Sequence, residues 1–368
     1  MPSLYDTGRG WESSEEGTQF VLPRSEAVGV YWERQGEYGF TVLDAATGET
    51  RWSSVPISPV EHTDVPFVVV TVDGKEYLAA WSSGTTDSDA VNIGRDIVSL
   101  DIFPAEASGD AVQPLHVEVD GDGDVRDGGA GLLVRGDGDT AVAVDPATGD
   151  TTEYDINTLE PPSDCPDCES SWMIVGLTAN GPLLGTQIDI DYSGFWVPGG
   201  WATTDLRPEG ADPEEAPSLG VAKDNLLVAG WDEAGDSDAY LWTVVDSASG
   251  QTLATVRCEG HMTSSSDTTL SANGRYLAHG ARVFDLQGGT GECHQRTDTT
   301  NQLRFEIVTD EGMAFGYSST DSPVQLDMTT GEIEELDDVN VHFPFGDTAG
   351  FGLFWDDAAR TMVAYPHS

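Results

Sequence analysis

One short turn recurs along this chain and limits what it can fold into: Asp-x-x-Thr/Ser-Gly, each time following a short apolar segment. It stands as VLDAATGE at 42–49, AVDPATGD at 143–150, VVDSASGQ at 244–251 and QLDMTTGE at 325–332, with degenerate copies after Asp101, Asp205 and Asp285. The residue types explain the shape. An Asp carboxylate accepts from backbone amides ahead of it, Thr or Ser does the same, and Gly supplies the positive φ that closes the turn. The mean spacing is about 47 residues, the length of a four-stranded propeller blade.

A tighter turn between two apolar strands precedes most copies. VVVTVDGKEYLAAW at 68–81 and IVGLTANGPLLGTQ at 174–187 carry Asp73-Gly74 and Asn180-Gly181 at their tips. Segments 220–231, 268–280 and 305–318 repeat the pattern, and looser forms occur near Ser25, Gly128 and Ala349. Each unit therefore reads as strand a, tight turn, strand b, variable loop, strand c, Asp-type turn, strand d. Four antiparallel strands repeated radially leave only short, protected edges.

Seven units are complete and the last runs out of chain after TMVAYPHS. Its missing strand is at the other end: GRGWESS at 8–14 matches GETRWSS at 48–54, the fourth strand of the first complete unit. The expected fold is all-β, a single eight-bladed propeller over 1–368, with strand 8–14 closing the blade at 341–366. Seven blades is the alternative count.

The full motif, from Asp44 through Gly48 to Trp52, resembles the tryptophan-docking motif of the PQQ-like β-propeller family. That family holds eight-bladed quinoprotein dehydrogenases, outer-membrane assembly scaffolds and many actinobacterial extracytoplasmic propellers. The resemblance implies the fold and leaves the function open. Only Trp11 and Trp52 fall at the docking position; Tyr154, Ala254 or Glu335 stand near it in other units.

Composition sets the surroundings. Acidic residues number 65 against 16 basic ones, a net charge of −49, which repels phosphate backbones and anionic lipid. Nucleic acid and direct membrane insertion are excluded as roles. Four cysteines, Cys165, Cys168, Cys258 and Cys293, read as structural disulfides and hence an oxidising, extracytoplasmic setting, secreted or surface-anchored as a lipoprotein. A bond between the fourth strands of successive blades would explain Cys258 and Cys293; a Cys/His metal site with His261 and His294 is the alternative. No signal peptide or lipid-attachment cysteine precedes the first repeat, so any targeting segment is expected ahead of Met1.

Catalytic constellations are sparse. There is no GxSxG elbow and no HExxH, and the CPDC pair is not the adjacent-cysteine arrangement of the quinoproteins. No cofactor is expected. Calcium at Asp120, Asp122 and Asp124 is a candidate, because these carboxylates alternate as at the start of an EF-type loop. Val125 then replaces the turn glycine, and no closing Glu follows. In a propeller the d-to-a and b-to-c loops share one face. There DIDYSGFWVPGGW at 189–201 is expected as a long loop offering Tyr192, Phe195, Trp196 and Trp201 as interface anchors. PPSDCPDCESSW at 161–172 and GTTDSDAVNIGR at 84–95 share that face. The reading is a monomeric, non-catalytic scaffold or sensor for a protein or glycan. A propeller enzyme, lactonase-like or a degenerate quinoprotein, is the alternative.

Overall fold

The computed structural model describes residues 2–60, 64–86, 94–136, 139–163, 165, 168, 172–188, 191–215, 217–259, 268–294, 302–336, 342–356 and 359–368. They form eight antiparallel sheets in sequence order, an eight-bladed propeller whose only α-helix among the described residues is the single turn Thr203–Leu206. Blade 1 is the fullest, with strands a to d at Thr18–Leu22, Ala27–Arg34, Glu37–Asp44 and Thr50–Ser54.

The middle strands of a blade are covered on both faces by neighbouring blades, so they carry apolar runs instead of alternation. Strand c of blade 1 is buried from Tyr38 to Leu43, and strand b of blade 5 is buried from Leu227 to Trp231. Outer strands lose that cover. Glu332–Glu335, strand d of blade 7, is exposed throughout and carries Ile333 at 45 % exposure.

The Asp-type turns have the expected chemistry. Asp44 Oδ1 accepts from the Thr47 amide at 2.9 Å and the Thr47 hydroxyl at 3.0 Å, and Gly48 sits at φ +73°. The arrangement recurs at Asp246, which accepts from the Ser249 amide at 2.7 Å and hydroxyl at 2.6 Å, with Gly250 at φ +71°. At Asp327 the Thr329 amide and hydroxyl donate at 2.8 and 2.6 Å. Onto the Asp44 and Asp246 turns the preceding blade lays a tryptophan, whereas at Gly331 of the Asp327 turn the neighbour is Glu292. Trp11 Nε1 donates to Ala45 O at 2.9 Å, and a Cβ on Gly48 would meet the Trp11 ring at 2.6 Å. Gly48 is thus required twice, for its φ and for the indole lying against it.

Two expected turns are placed differently. Strand c of blade 2 (Asp96–Pro104) runs straight through Asp101, which pairs with His116 of strand d (Leu115–Asp120). The connection after Pro104 is long, and its Gly109–Val112 segment adds a parallel fifth strand to the edge of blade 1. In blade 4, Asp205 belongs to the helical turn, where its Oδ2 accepts from the Ala202 amide at 2.9 Å. The c-to-d turn there is Val197 to Trp201, closed by the Val197 amide on Trp201 O at 2.9 Å. Blade 4 has three strands, Trp172–Thr178, Gly181–Ile188 and Asp191–Trp196, and its fourth is reduced to a bridge between Trp196 and Ala202.

The ring closes where the sequence places the closure. Trp11–Ser13 pairs antiparallel with Thr361–Pro366, matching Trp11 to Ala364 and Ser13 to Met362, outside strands Phe351–Asp356 and Gly346–Thr348. Tyr5 bridges to His367 and the Ser368 amide donates to Leu4 O at 2.8 Å. Both disulfides are formed, Cys165–Cys168 and Cys258–Cys293, the latter joining the fourth strands of blades 5 and 6 (Gln251–Glu259 and Thr290–Cys293).

Candidate ligand pocket on the loop face

Successive antiparallel strands put the a-to-b and c-to-d connections on one face, the turn face, and the d-to-a and b-to-c connections on the other, the loop face. On the turn face, the innermost turns converge on the axis. A Cβ on Gly274 of blade 6 would meet the Arg24 guanidinium of blade 1 at 2.8 Å, and one on Gly129 of blade 3 would lie 3.6 Å from the Asn225 side chain of blade 5. That mouth of the channel is constricted by chain.

The loop face holds a cavity of about 370 Å³ in blade 1, within the roughly 300–1,000 Å³ of small ligand sites. Three connections build it: Glu16 and Gly17 ahead of strand a, Glu33, Arg34 and Tyr38 around the b-to-c hairpin, and Asp64 and Val65 entering blade 2, with Tyr31 behind them. The hairpin turns on Gln35 at φ +57° and Gly36 at φ +82°, a tight primed turn that holds strands b and c in register. Gly17 lets the entering chain lie against strand b, since a Cβ there would meet Tyr31 O at 2.2 Å.

Aromatic rings form the wall. Tyr31 and Tyr38 are stacked with centroids 6.2 Å apart and planes at 16°, and Tyr31 packs against Phe67 at 4.6 Å and Phe40 at 5.1 Å. The Tyr31 phenol donates to Val65 O, which fixes the ring. Burial pushes both phenols above their ordinary range, and the nearby charges of Glu33 and Asp64 push them further. Arg34 donates to Glu15 at 3.2 Å and lies 5.1 Å over the Trp32 ring.

A second cluster joins the chain ends on the turn face. Asp347 Oδ2 accepts from the Tyr5 hydroxyl at 2.9 Å and faces His367 Nε2 at 2.8 Å, while His367 Nδ1 faces Glu311 of blade 7 at 3.1 Å. Burial works against charge on His367, but the hydrogen bond and charge of Asp347, with Glu311 behind them, hold its pKa above the usual value. Burial raises Asp347, against the opposing pull of His367 and Tyr5. Glu311, Asp347 and His367 offer ligand atoms within 4.8 Å of one another, the one such group among the described residues. Each imidazole nitrogen faces a different carboxylate, however, so the ring bridges two anions and is poorly turned to give one nitrogen to an ion shared by both.

The residues singled out in the sequence fall elsewhere. Phe195, Trp196 and Trp201 are 0 %, 1 % and 6 % exposed. They are core and not interface anchors, because 191–196 is strand c of blade 4 and not a loop. Trp201 is a docking tryptophan: its Nε1 donates to Ser247 O at 2.9 Å, and a Cβ on Gly250 would meet its ring at 2.7 Å. The docking position is thus filled in blade 4 as well as by Trp11 and Trp52, whose Nε1 donates to Ala105 O at 2.8 Å. The Tyr192 side chain, residues 87–93 and His261 lie outside the described residues. Asp120 and Asp124 are engaged by Arg95 and Arg126, the second at 2.6 Å, and with Asp122 they form no group of three converging ligands. Cys258 and Cys293 are bonded to each other, which removes the Cys/His metal alternative.

Strand order alone defines the class, an eight-bladed β-propeller. No family model matches the chain, and no curated protein matches it. Among solved structures it is similar to BamB from Moraxella catarrhalis, at 14 % identity and TM-score 0.43 over 97 % of this chain and 96 % of that one. It is also similar to the RRP9 WD40 repeats, at 11 % identity and TM-score 0.41 over 99 % of each chain. The uncharacterized protein lmo1340 from Listeria monocytogenes EGD-e is 10 % identical, with TM-score 0.36 over 90 % of this chain and 95 % of that one.

Proposed function

We propose that this chain is a non-catalytic binding module, a scaffold or sensor that engages a protein or glycan partner through its loop face. The observation that carries this reading is the blade 1 pocket: it is open, formed by three separate connections, and walled by rings held in place from behind. Such a surface is preorganised for recognition, so little ordering has to be imposed when a partner arrives. The two disulfides favour an extracytoplasmic setting, because such bonds persist in oxidising compartments. Among the described residues no helix is long and apolar enough to cross a membrane.

Site-specific photo-crosslinking in the native host tests the proposal. A benzophenone side chain at exposed Gln35, beside the pocket, is expected to give a discrete adduct, and one at exposed Ala147 on the turn face none. Adducts from the turn-face position alone, or from neither, overturn it.

A further inference from the structure

We infer that the blade 1 pocket receives a cationic organic group, the guanidinium or ammonium end of a basic side chain. This deepens the binding reading above and rests on it.

Three carboxylates line the pocket, Glu16, Glu33 and Asp64, and none of them has an ion pair among the described residues. Among the described lining residues the one cation is already engaged: Arg34 is paired with Glu15 and lies over the Trp32 ring. It offsets Glu15, and among the described residues no cation is paired with the other three. Carboxylates alone would make only another acidic patch on an acidic protein. Here they surround the stacked Tyr31 and Tyr38, and ring faces attract cations through their quadrupole. A tyrosine wall with carboxylates at its rim offers a cation both dispersion and charge, whereas a phosphate or carboxylate meets repulsion from every side but one.

Between the two cations, guanidinium fits better. It is planar, weakly hydrated and able to lie flat on a ring while its edge donates to carboxylates. Within the chain, Arg34 at the edge of the same pocket has its guanidinium carbon 5.1 Å from the Trp32 ring centroid while it pairs with Glu15. The net charge of −49 draws any basic partner toward the molecule, but a diffuse field does not select one cleft. The test therefore has to separate local from global charge.

The probes are acetyl-Gly-Arg-Gly-amide, its citrulline isostere and argininamide, titrated at low ionic strength into protein with 13C-labelled tyrosine. The arginine peptide is expected to saturate and to shift the Tyr31 and Tyr38 ring resonances, with the citrulline peptide about tenfold weaker. Glu33→Gln with Asp64→Asn replaces exposed side chains and is expected to weaken arginine binding about tenfold. Glu334→Gln with Glu335→Gln on the outer strand of blade 7 removes the same charge and is expected to change it less than about twofold. Tighter binding of the peptide than of argininamide assigns the cation to a polypeptide; equal binding assigns it to a free small molecule. Equal weakening by the two double variants overturns the inference, since the attraction is then diffuse. Equal binding of citrulline and arginine also overturns it, yet leaves the loop-face reading standing if the tyrosine resonances still move. Loss of the Gln35 adduct with arginine binding intact is the converse failure.

Discussion

Blades 4 and 8 solve the same problem in opposite ways. Blade 8 takes its outer strand from the far end of the chain, pairing Trp11–Ser13 with Thr361–Pro366. Blade 4 has almost no outer strand, only a bridge between Trp196 and Ala202 before the chain turns into a helical turn. What both keep is an indole on the next blade's turn: Trp11 on Ala45 and Trp201 on Ser247, each at 2.9 Å. A blade can dispense with the hydrogen bonds of an outer strand, then, provided the ring contact to its neighbour survives. In blade 8 the outer strand also closes the circle, so it cannot be spared.

The largest expected effect follows from that difference. Deleting residues 2–14 removes the closing strand, the Trp11 contact and Tyr5 together. The loss should exceed about 5 kcal/mol, comparable to the whole stability of many domains. Urea unfolding measures it, and an unchanged midpoint would show that closure carries no energy. Next come the docking rings. Trp52→Ala and Trp201→Ala should each cost about 3–5 kcal/mol, because both are buried with their N–H satisfied. If Trp201→Ala costs less than about 1 kcal/mol, blade 4 is held by something other than its docking ring, and the parallel between the blades fails.

The smallest effect concerns the blade 8 clasp and depends on pH. The folded pKa of His367 lies above its ordinary value of about 6.5. Its contribution is therefore complete below that value and is lost as pH rises through the raised one. Asp347, raised by burial, has the same sign at the acid end. Unprotonated His367 keeps one N–H for two carboxylates, so about 1 kcal/mol should disappear on the alkaline side. Melting curves of the native chain and His367→Gln should converge as pH rises from 6 to 9. Parallel curves would place the pH response elsewhere.

The repeat made the architecture readable, because blades of one design recur and the Asp-type turns at Asp44, Asp145, Asp246, Asp285 and Asp327 each join two strands of a blade. Trp201 escaped the same reading. It follows Val-Pro-Gly-Gly and not an Asp-x-x-Thr-Gly turn, so a docking ring looked like a loop aromatic. Asp101 misled in the other direction, resembling a turn residue while sitting within a nine-residue strand. The pocket had no linear signature at all. Glu16, Glu33 and Asp64 come from three connections that only folding brings together, and in a chain with 65 acidic residues no single one stands out. The clasp was equally hidden, since Tyr5 and His367 meet only because the ring closes.

Closure by both ends has a bearing on orientation. Ser3 and Leu4 lie beside Ser368, joined by the Ser368 hydroxyl on Ser3 O at 3.2 Å and its amide on Leu4 O at 2.8 Å. The two ends thus leave the molecule at one point, on the turn face. A tether, fusion partner or solid support attached at either end would hold the propeller the same way up, with the blade 1 pocket turned to the far side. Immobilising the protein by one terminus and then the other should leave the pocket equally accessible, a symmetry that an open-ended fold would not provide.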